Sequence, residues 1–167
     1  KGVNRISNLC NSQDVLSTID CLKSCKANII QDGQDYLVKS SSLSKPLNPL
    51  NCGNSGTTIR LMAGLLAGQG VDAELYGDKS LMSRPMDRII KPLKEMGVDI
   101  KFKDKKIVLK KSNISSVSIK NKIPSAQVKS AIILAALGSR GKISLHESYD
   151  TRDHTERMLQ FISRSSI

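Results

Sequence analysis

The feature that most limits how this chain can fold is an internal repeat of roughly 70 residues, longer than solenoid periods and suited to a domain of a few copied units. Each copy opens with a Gly and a short alternating strand: Val3-Asn4-Arg5-Ile6-Ser7, then Val71-Asp72-Ala73-Glu74-Leu75, then Ile143-Ser144-Leu145. A loop with polar or acidic residues follows each strand, and then an amphipathic helix over residues 14–26, 87–96 and from His154 onward. Val15, Ile19 and Leu22 share one face of the first helix, as Ile89, Leu93 and Met96 do in the second. Ser12 has the chemistry of an N-cap, and Gly97 that of the glycine closing a helix. Pro92, inside the second helix, predicts a bend or a missing hydrogen bond.

Hairpins are expected over 28–38, turning at Asp32-Gly33, and over 98–109, turning near Asp104-Lys105. Each is followed by a second helix, 55–67 and 125–137, the latter preceded by a strand at Val117 and Ile119. Both helices are apolar nearly all round and end at Gly, which places them in the middle of a domain. Residues 40–50 form a polar, Pro-containing loop, and no low-complexity linker interrupts the chain. The expected architecture is therefore one α/β (α+β) domain over 1–167, with repeated units, sheets outside and helices inside. The chain starts at Lys1 without a methionine and stops inside an apparent helix, so an excised piece of a larger protein is expected.

Three kinds of segment could carry chemistry. Asn51-Cys52-Gly53-Asn54-Ser55-Gly56-Thr57-Thr58-Ile59-Arg60 opens the first buried helix: two glycines let a ligand reach backbone N–H groups, hydroxyls add donors, and Arg60 adds charge one turn in. An ordinary capped helix explains the segment equally well, and the Gly-Lys-Ser/Thr ending of a Walker loop is missing. Ile123-Pro124-Ser125-Ala126-Gln127-Val128-Lys129-Ser130 stands at the same place in the next copy. There Ser125 can cap the helix, and Gln127 offers both a donor and an acceptor. Ser83-Arg84-Pro85-Met86 and Thr151-Arg152-Asp153-His154 set an arginine at equivalent helix mouths, suited to bidentate contact with phosphate or carboxylate. His146 and His154 form no Ser-His-Asp arrangement and are read as structural or surface groups. Cys52 beside the glycines is read as buried packing rather than a nucleophile.

The net charge of +11 raises nucleic acid as a partner. Single-strand binders, however, need aromatic platforms, and this chain has two Phe, three Tyr and no Trp. Lys101, Lys103, Lys105, Lys106, Lys110 and Lys111 alternate with Ile100, Phe102, Ile107 and Leu109 as on a half-exposed hairpin, and a small, highly anionic substrate accounts for the remaining excess equally well. Cys10, Cys21, Cys25 and Cys52 lack the partners of a zinc site. With no apolar stretch of signal-peptide or membrane-span length, they read as reduced, mostly buried thiols in a cytoplasmic protein.

Asn54-Ser55-Gly56-Thr57-Thr58-Ile59-Arg60-Leu61, Arg84-Pro85-Met86, Ser125-Ala126-Gln127-Val128-Lys129-Ser130-Ala131 and Thr151-Arg152-Asp153-His154-Thr155-Glu156 resemble, in order and spacing, the 5-enolpyruvylshikimate-3-phosphate (EPSP) synthases, in their bacterial class II form. The resemblance implies two domains, each of three β-α-β-α-β-β units, that close on substrates without metal or organic cofactor. It implies that Gly56, Arg84 and Gln127 contact phosphoenolpyruvate, and that glyphosate occupies the same position. Ser125, Ala126, Gln127 and Arg152 would contact shikimate 3-phosphate, with Asn54 and Arg60 supporting the helix start. It also implies that the family's first substrate-binding strand, its second domain and its proton-transfer groups lie outside this chain, leaving no catalytic residue within it and a fragment inactive alone. The related UDP-N-acetylglucosamine enolpyruvyl transferases share the fold, but the Ser-Ala-Gln-Val-Lys-Ser and Arg-Pro-Met segments argue against that branch. A basic nucleic-acid-binding module is the rival from another class.

Overall fold

The computed structural model describes residues 2–164. Its elements run β1 (Val3–Ile6), α1 (Gln13–Ser24), β2 (Asn28–Asp32), β3 (Asp35–Lys39), β4 (Leu50–Asn51), α2 (Gly56–Gly68), β5 (Ala73–Tyr76), α3 (Lys79–Met82), α4 (Asp87–Glu95), β6 (Asp99–Lys103), β7 (Lys106–Lys110), β8 (Val117–Asn121), α5 (Ala126–Ala136), β9 (Ile143–Glu147) and α6 (His154–Arg164). The mixed α/β architecture expected from the repeat is present.

The strands form three sheets, ordered β1-β3-β2, β4-β5-β7-β6 and β8-β9. Hairpins β2–β3 and β6–β7 are antiparallel. β4 pairs in parallel with β5 across α2, and β8 pairs in parallel with β9 across α5. Each buried helix is thus the crossover of a parallel β-α-β unit, the connection that parallel pairing requires. In the first sheet β1 is an edge strand. Val3 and Ile6 on it are exposed, and Arg5 reaches across to Asp32 and Asp35.

The core is aliphatic, as the scarcity of aromatics requires: Ile59, Met62, Leu66, Leu75, Leu93, Ile100, Ile107 and Val128 are buried around α2 and α5. These two helices meet without intervening side chains. A Cβ added to Gly64 would sit 2.2 Å from the Ala131 carbonyl oxygen, and one on Gly138 would sit 1.8 Å from that of Gly68. Backbone therefore touches backbone along the seam, and only glycine permits it.

Several expectations shift in detail. The first hairpin turns at Gly33-Gln34 rather than Asp32-Gly33, the first helix ends at Ser24, and the second copy's strand starts at Ala73. The loop over 40–50 ends in the short strand β4, and the polar loop after β5 contains α3, capped by Asp78. Asp104 and Lys105 do form the second turn, both at positive φ as a two-residue hairpin turn demands. Ser12 caps α1 through the Val15 N–H. Pro92 lies within α4, where its ring deprives the Arg88 carbonyl of its usual donor while the helix continues to Glu95. Phe102 alternates inward in sequence, yet at the hairpin tip it is 42% exposed.

Candidate functional site

Side-chain capping sets the start of α2. Ser55, 1% exposed, accepts from the Thr58 N–H at 3.1 Å, and the Thr58 hydroxyl bonds back to Ser55, to Thr18 and to the Asp14 carbonyl. This ties the helix start to α1. Gly53 turns the chain at φ 58°, and no acidic residue lies in the first turn of the helix. The N-terminal partial charge is therefore left for an incoming anion.

Arginines converge above this start. Arg84 Nη2 donates to Asn54 Oδ1 at 2.6 Å, Asn54 Nδ2 donates to Asp78 Oδ2 at 2.6 Å, and Asp78 Oδ1 caps α3 by accepting from the Leu81 N–H at 2.7 Å. The capping N–H and the Asn54 amide hold the Asp78 carboxyl below its ordinary pKa, so it stays charged within this network. Arg60 Nη1 donates to the Gly56 carbonyl at 3.2 Å and to Gln127 Oε1 at 2.5 Å. Partial burial, then the like charges of Arg84 and Arg88, lower the Arg60 pKa. Among the described residues no carboxylate is bonded directly to Arg60 or Arg84, and cations held together in this way form a site that an anion would relieve.

Gln127 joins this cluster to the second helix start, because its Nε2 donates to Thr57 Oγ1 at 2.8 Å. At the head of α5, Ser125 caps through the Val128 N–H. Ser125, Ala126 and Gln127 face Asp150, Thr151 and Arg152 across an open cavity of about 360 Å³. The expected residues therefore fall into two clusters, Asn54, Gly56, Arg60 and Arg84 in one and Ser125, Ala126 and Arg152 in the other, with Gln127 common to both. A larger cavity of about 420 Å³ lies at the far ends of α2 and α5, beside Gly68, Lys111 and Arg140. Helix carbonyl ends share that cavity with the two cations and partly offset them.

Sequence reasoning missed several parts of this network. Asp78 and Arg88 lie outside the motifs, and Lys129 lies inside one whose pattern gives it no role. Lys129 is buried and ion-paired with Glu147 at 3.0 Å and Glu156 at 2.7 Å. A single charged residue within a mostly apolar helix was the available signal, since a buried ammonium requires partners. His146 and His154 are exposed, and Cys52 is fully buried. The neighbouring Cys21 thiol and burial raise the Cys52 pKa, and the Cys52 thiol donates to the Leu50 carbonyl at 4.0 Å, which suits packing and not a nucleophile. Among the described residues no helix is long and apolar enough to cross a membrane.

The family model described as EPSP synthase (3-phosphoshikimate 1-carboxyvinyltransferase) matches residues 1–163. A 3-phosphoshikimate 1-carboxyvinyltransferase of Vesicomyosocius okutanii is 44% identical over 165 residues, covering 95% of this chain and 38% of that protein. Its counterpart in Thermodesulfovibrio yellowstonii is 44% identical over 168 residues, covering 96% and 39%. A solved EPSP synthase from Acinetobacter baumannii superposes with a TM-score of 0.88 at 34% identity, over 96% of this chain and 38% of that one. The chain thus spans 38–39% of the length of these curated relatives.

Proposed function

This chain belongs to the EPSP synthase family, and from that premise we propose that it forms one wall of a site where the enolpyruvyl group of phosphoenolpyruvate passes to the 5-hydroxyl of shikimate 3-phosphate. In this reading residues 1–167 are most of one domain of a two-domain cytoplasmic enzyme that binds small anions rather than nucleic acid. Phosphoenolpyruvate lies against Gly56, Arg84 and Gln127, and shikimate 3-phosphate against Ser125, Ala126, Gln127 and Arg152. Asn54 and Arg60 shape the helix start.

The observation that carries this reading is the gathering of Arg60 and Arg84 at the start of α2, with Gln127 bridging to the start of α5. Two polyanionic substrates must be brought together before reaction, and fixed guanidinium and N–H donors offset their repulsion without reorganising. In the reaction the 5-hydroxyl adds to C2 of phosphoenolpyruvate as C3 is protonated, and phosphate leaves from the tetrahedral adduct. This wall binds and orients, while proton transfer falls to the rest of a chain the length of the relatives.

Titration of shikimate 3-phosphate, followed by amide NMR and calorimetry, tests the assignment. Shifts should concentrate at Ser125, Ala126, Gln127 and Arg152. Arg152→Ala should remove a charge-assisted contact of about 1.5–3 kcal/mol, roughly ten- to hundredfold in affinity. Equal affinity in both proteins removes Arg152 from the site. Binding of mixed-sequence oligonucleotides that weakens steeply with salt would favour a nucleic-acid module instead.

A further inference from the structure

Building on the assignment of shikimate 3-phosphate to the start of α5, we propose that Lys129 is a positioning residue for that subsite: its ammonium, anchored on Glu147 and Glu156, fixes the peptide between Thr151 and Arg152 and so sets where the Arg152 guanidinium meets the ligand.

Lys129 lies two residues beyond Gln127, and its side chain is 4% exposed. It is the one lysine among the described residues whose side chain is buried in this way. Its Nζ contacts three consecutive parts of the chain: Glu147 Oε2 at the end of β9 (3.0 Å), the Thr151 carbonyl (3.4 Å) and Glu156 Oε1 in the first turn of α6 (2.7 Å). Two further contacts reinforce the same loop. The Thr151 hydroxyl donates to Glu147 Oε1 at 3.1 Å, and the Ser130 and Thr155 hydroxyls share a hydrogen bond of 2.6 Å. Burial opposes the charge on Lys129, but hydrogen bonds to Glu156 and Glu147 outweigh it and hold the ammonium pKa above its ordinary value.

Arg152 itself is exposed, and no hydrogen bond or ion pair from its guanidinium is among those of the described residues. Its position is therefore inherited from its backbone, and that backbone hangs on the carbonyl that Lys129 holds. Removing the ammonium would leave two carboxylates facing each other, with side chains only 22% and 32% exposed and Glu156 Oε2 already buried without a partner. Their repulsion would push the loop away from the head of α5.

The test is calorimetry with shikimate 3-phosphate on the full chain as wild type, Lys129→Met, Lys129→Arg, Arg152→Ala and the double variant Lys129→Met/Arg152→Ala. Lys129→Met should weaken binding roughly ten- to hundredfold, the scale of a misplaced binding group, and Lys129→Arg should recover most of it. The double variant should bind no more weakly than Arg152→Ala, because both changes remove one contact. Inorganic phosphate should still shift the Gly56 and Thr57 amides in Lys129→Met, which a general loss of structure would abolish. Wild-type affinity in Lys129→Met, or losses that add in the double variant, overturns the proposal. Should Lys129→Met not fold, Thr151→Val with Glu147→Gln probes the same anchor, and additivity with Arg152→Ala again overturns it. A wild-type protein that does not bind shikimate 3-phosphate overturns the functional reading as well. Loss in Arg152→Ala beside intact binding in Lys129→Met overturns only the role of Lys129.

Discussion

Gly64→Ala tests the seam between α2 and α5, because two effects of opposite sign compete there. Helix propensity favours alanine over glycine by about 1 kcal/mol in a helix interior. The structure opposes it: the new methyl would lie 2.2, 2.7 and 2.8 Å from the O, C and Cα of Ala131. All three are backbone atoms, so no rotamer change relieves the contact. To reach the 3.4 Å of ordinary contact the helices must part by about 1.2 Å. Overpacking of this kind costs about 1–3 kcal/mol, and a backbone clash belongs at the upper end. The net expectation is a loss of about 2 kcal/mol, or about 4–8 °C in Tm for a chain of this size. Arg60 and Gln127 sit one turn above Gly64 and Ala131, so the same opening would carry their 2.5 Å hydrogen bond beyond reach. Urea and thermal unfolding measure the first effect, and the Gln127 side-chain amide resonances report the second. A second change, Ala131→Gly, should not rescue, since it removes no atom involved in the clash. A neutral or raised Tm in Gly64→Ala would refute the seam.

At the site, a methyl on Gly56 would lie 2.7 Å from Arg60 Nη1 and 3.0 Å from Arg84 Nη1, so both guanidinium ends must move. On the proposed assignment, Gly56→Ala in an enzyme of the relatives' length that carries this domain is expected to weaken glyphosate inhibition by about tenfold or more while raising the phosphoenolpyruvate KM less; parallel losses in steady-state kinetics would mean the helix start was merely damaged. The carboxyls of Asp35 (beside Arg5), Glu74 (beside Lys106) and Asp78 (at the start of α3) all have lowered pKa values. Their contribution is present above the ordinary values of 3.8 and 4.5 and lost as pH falls through the lower folded ones, so urea midpoints should decline on the acid side of pH 4.5. Thiol labelling of the native protein should modify Cys10 first, because Cys21, Cys25 and Cys52 are buried and burial raises the Cys25 pKa to about 11; four thiols reacting at one rate would contradict the packing.

What could be read in the sequence was local and periodic. The spacing of Ile89, Leu93 and Met96 marks one face of α4, and the turn chemistry around Asp104 and Lys105 places the β6–β7 hairpin. Neither depends on distant partners. The short elements escaped for the same reason: β4 has two residues and α3 four, too few for any period to register. The seam was hidden because Gly64 and Gly68 look like weak points in a helix until a second backbone is seen against them. Of the candidate site, the helix starts and arginines were legible as separate motifs. The bond from Arg60 to Gln127 spans 67 positions, and no spacing rule reaches that far. The Lys129 anchor was visible only as an anomaly in α5.

The open edge of β1 bears on how this protein behaves in concentrated solution. An unpaired strand edge flanked by the exposed Val3 and Ile6 offers N–H and C=O groups to any other extended chain. Arg5, in the middle of that strand, holds a charge there through its bridges to Asp32 and Asp35. Salt, which screens those half-exposed bridges, therefore loosens the side chain that lies across this sheet.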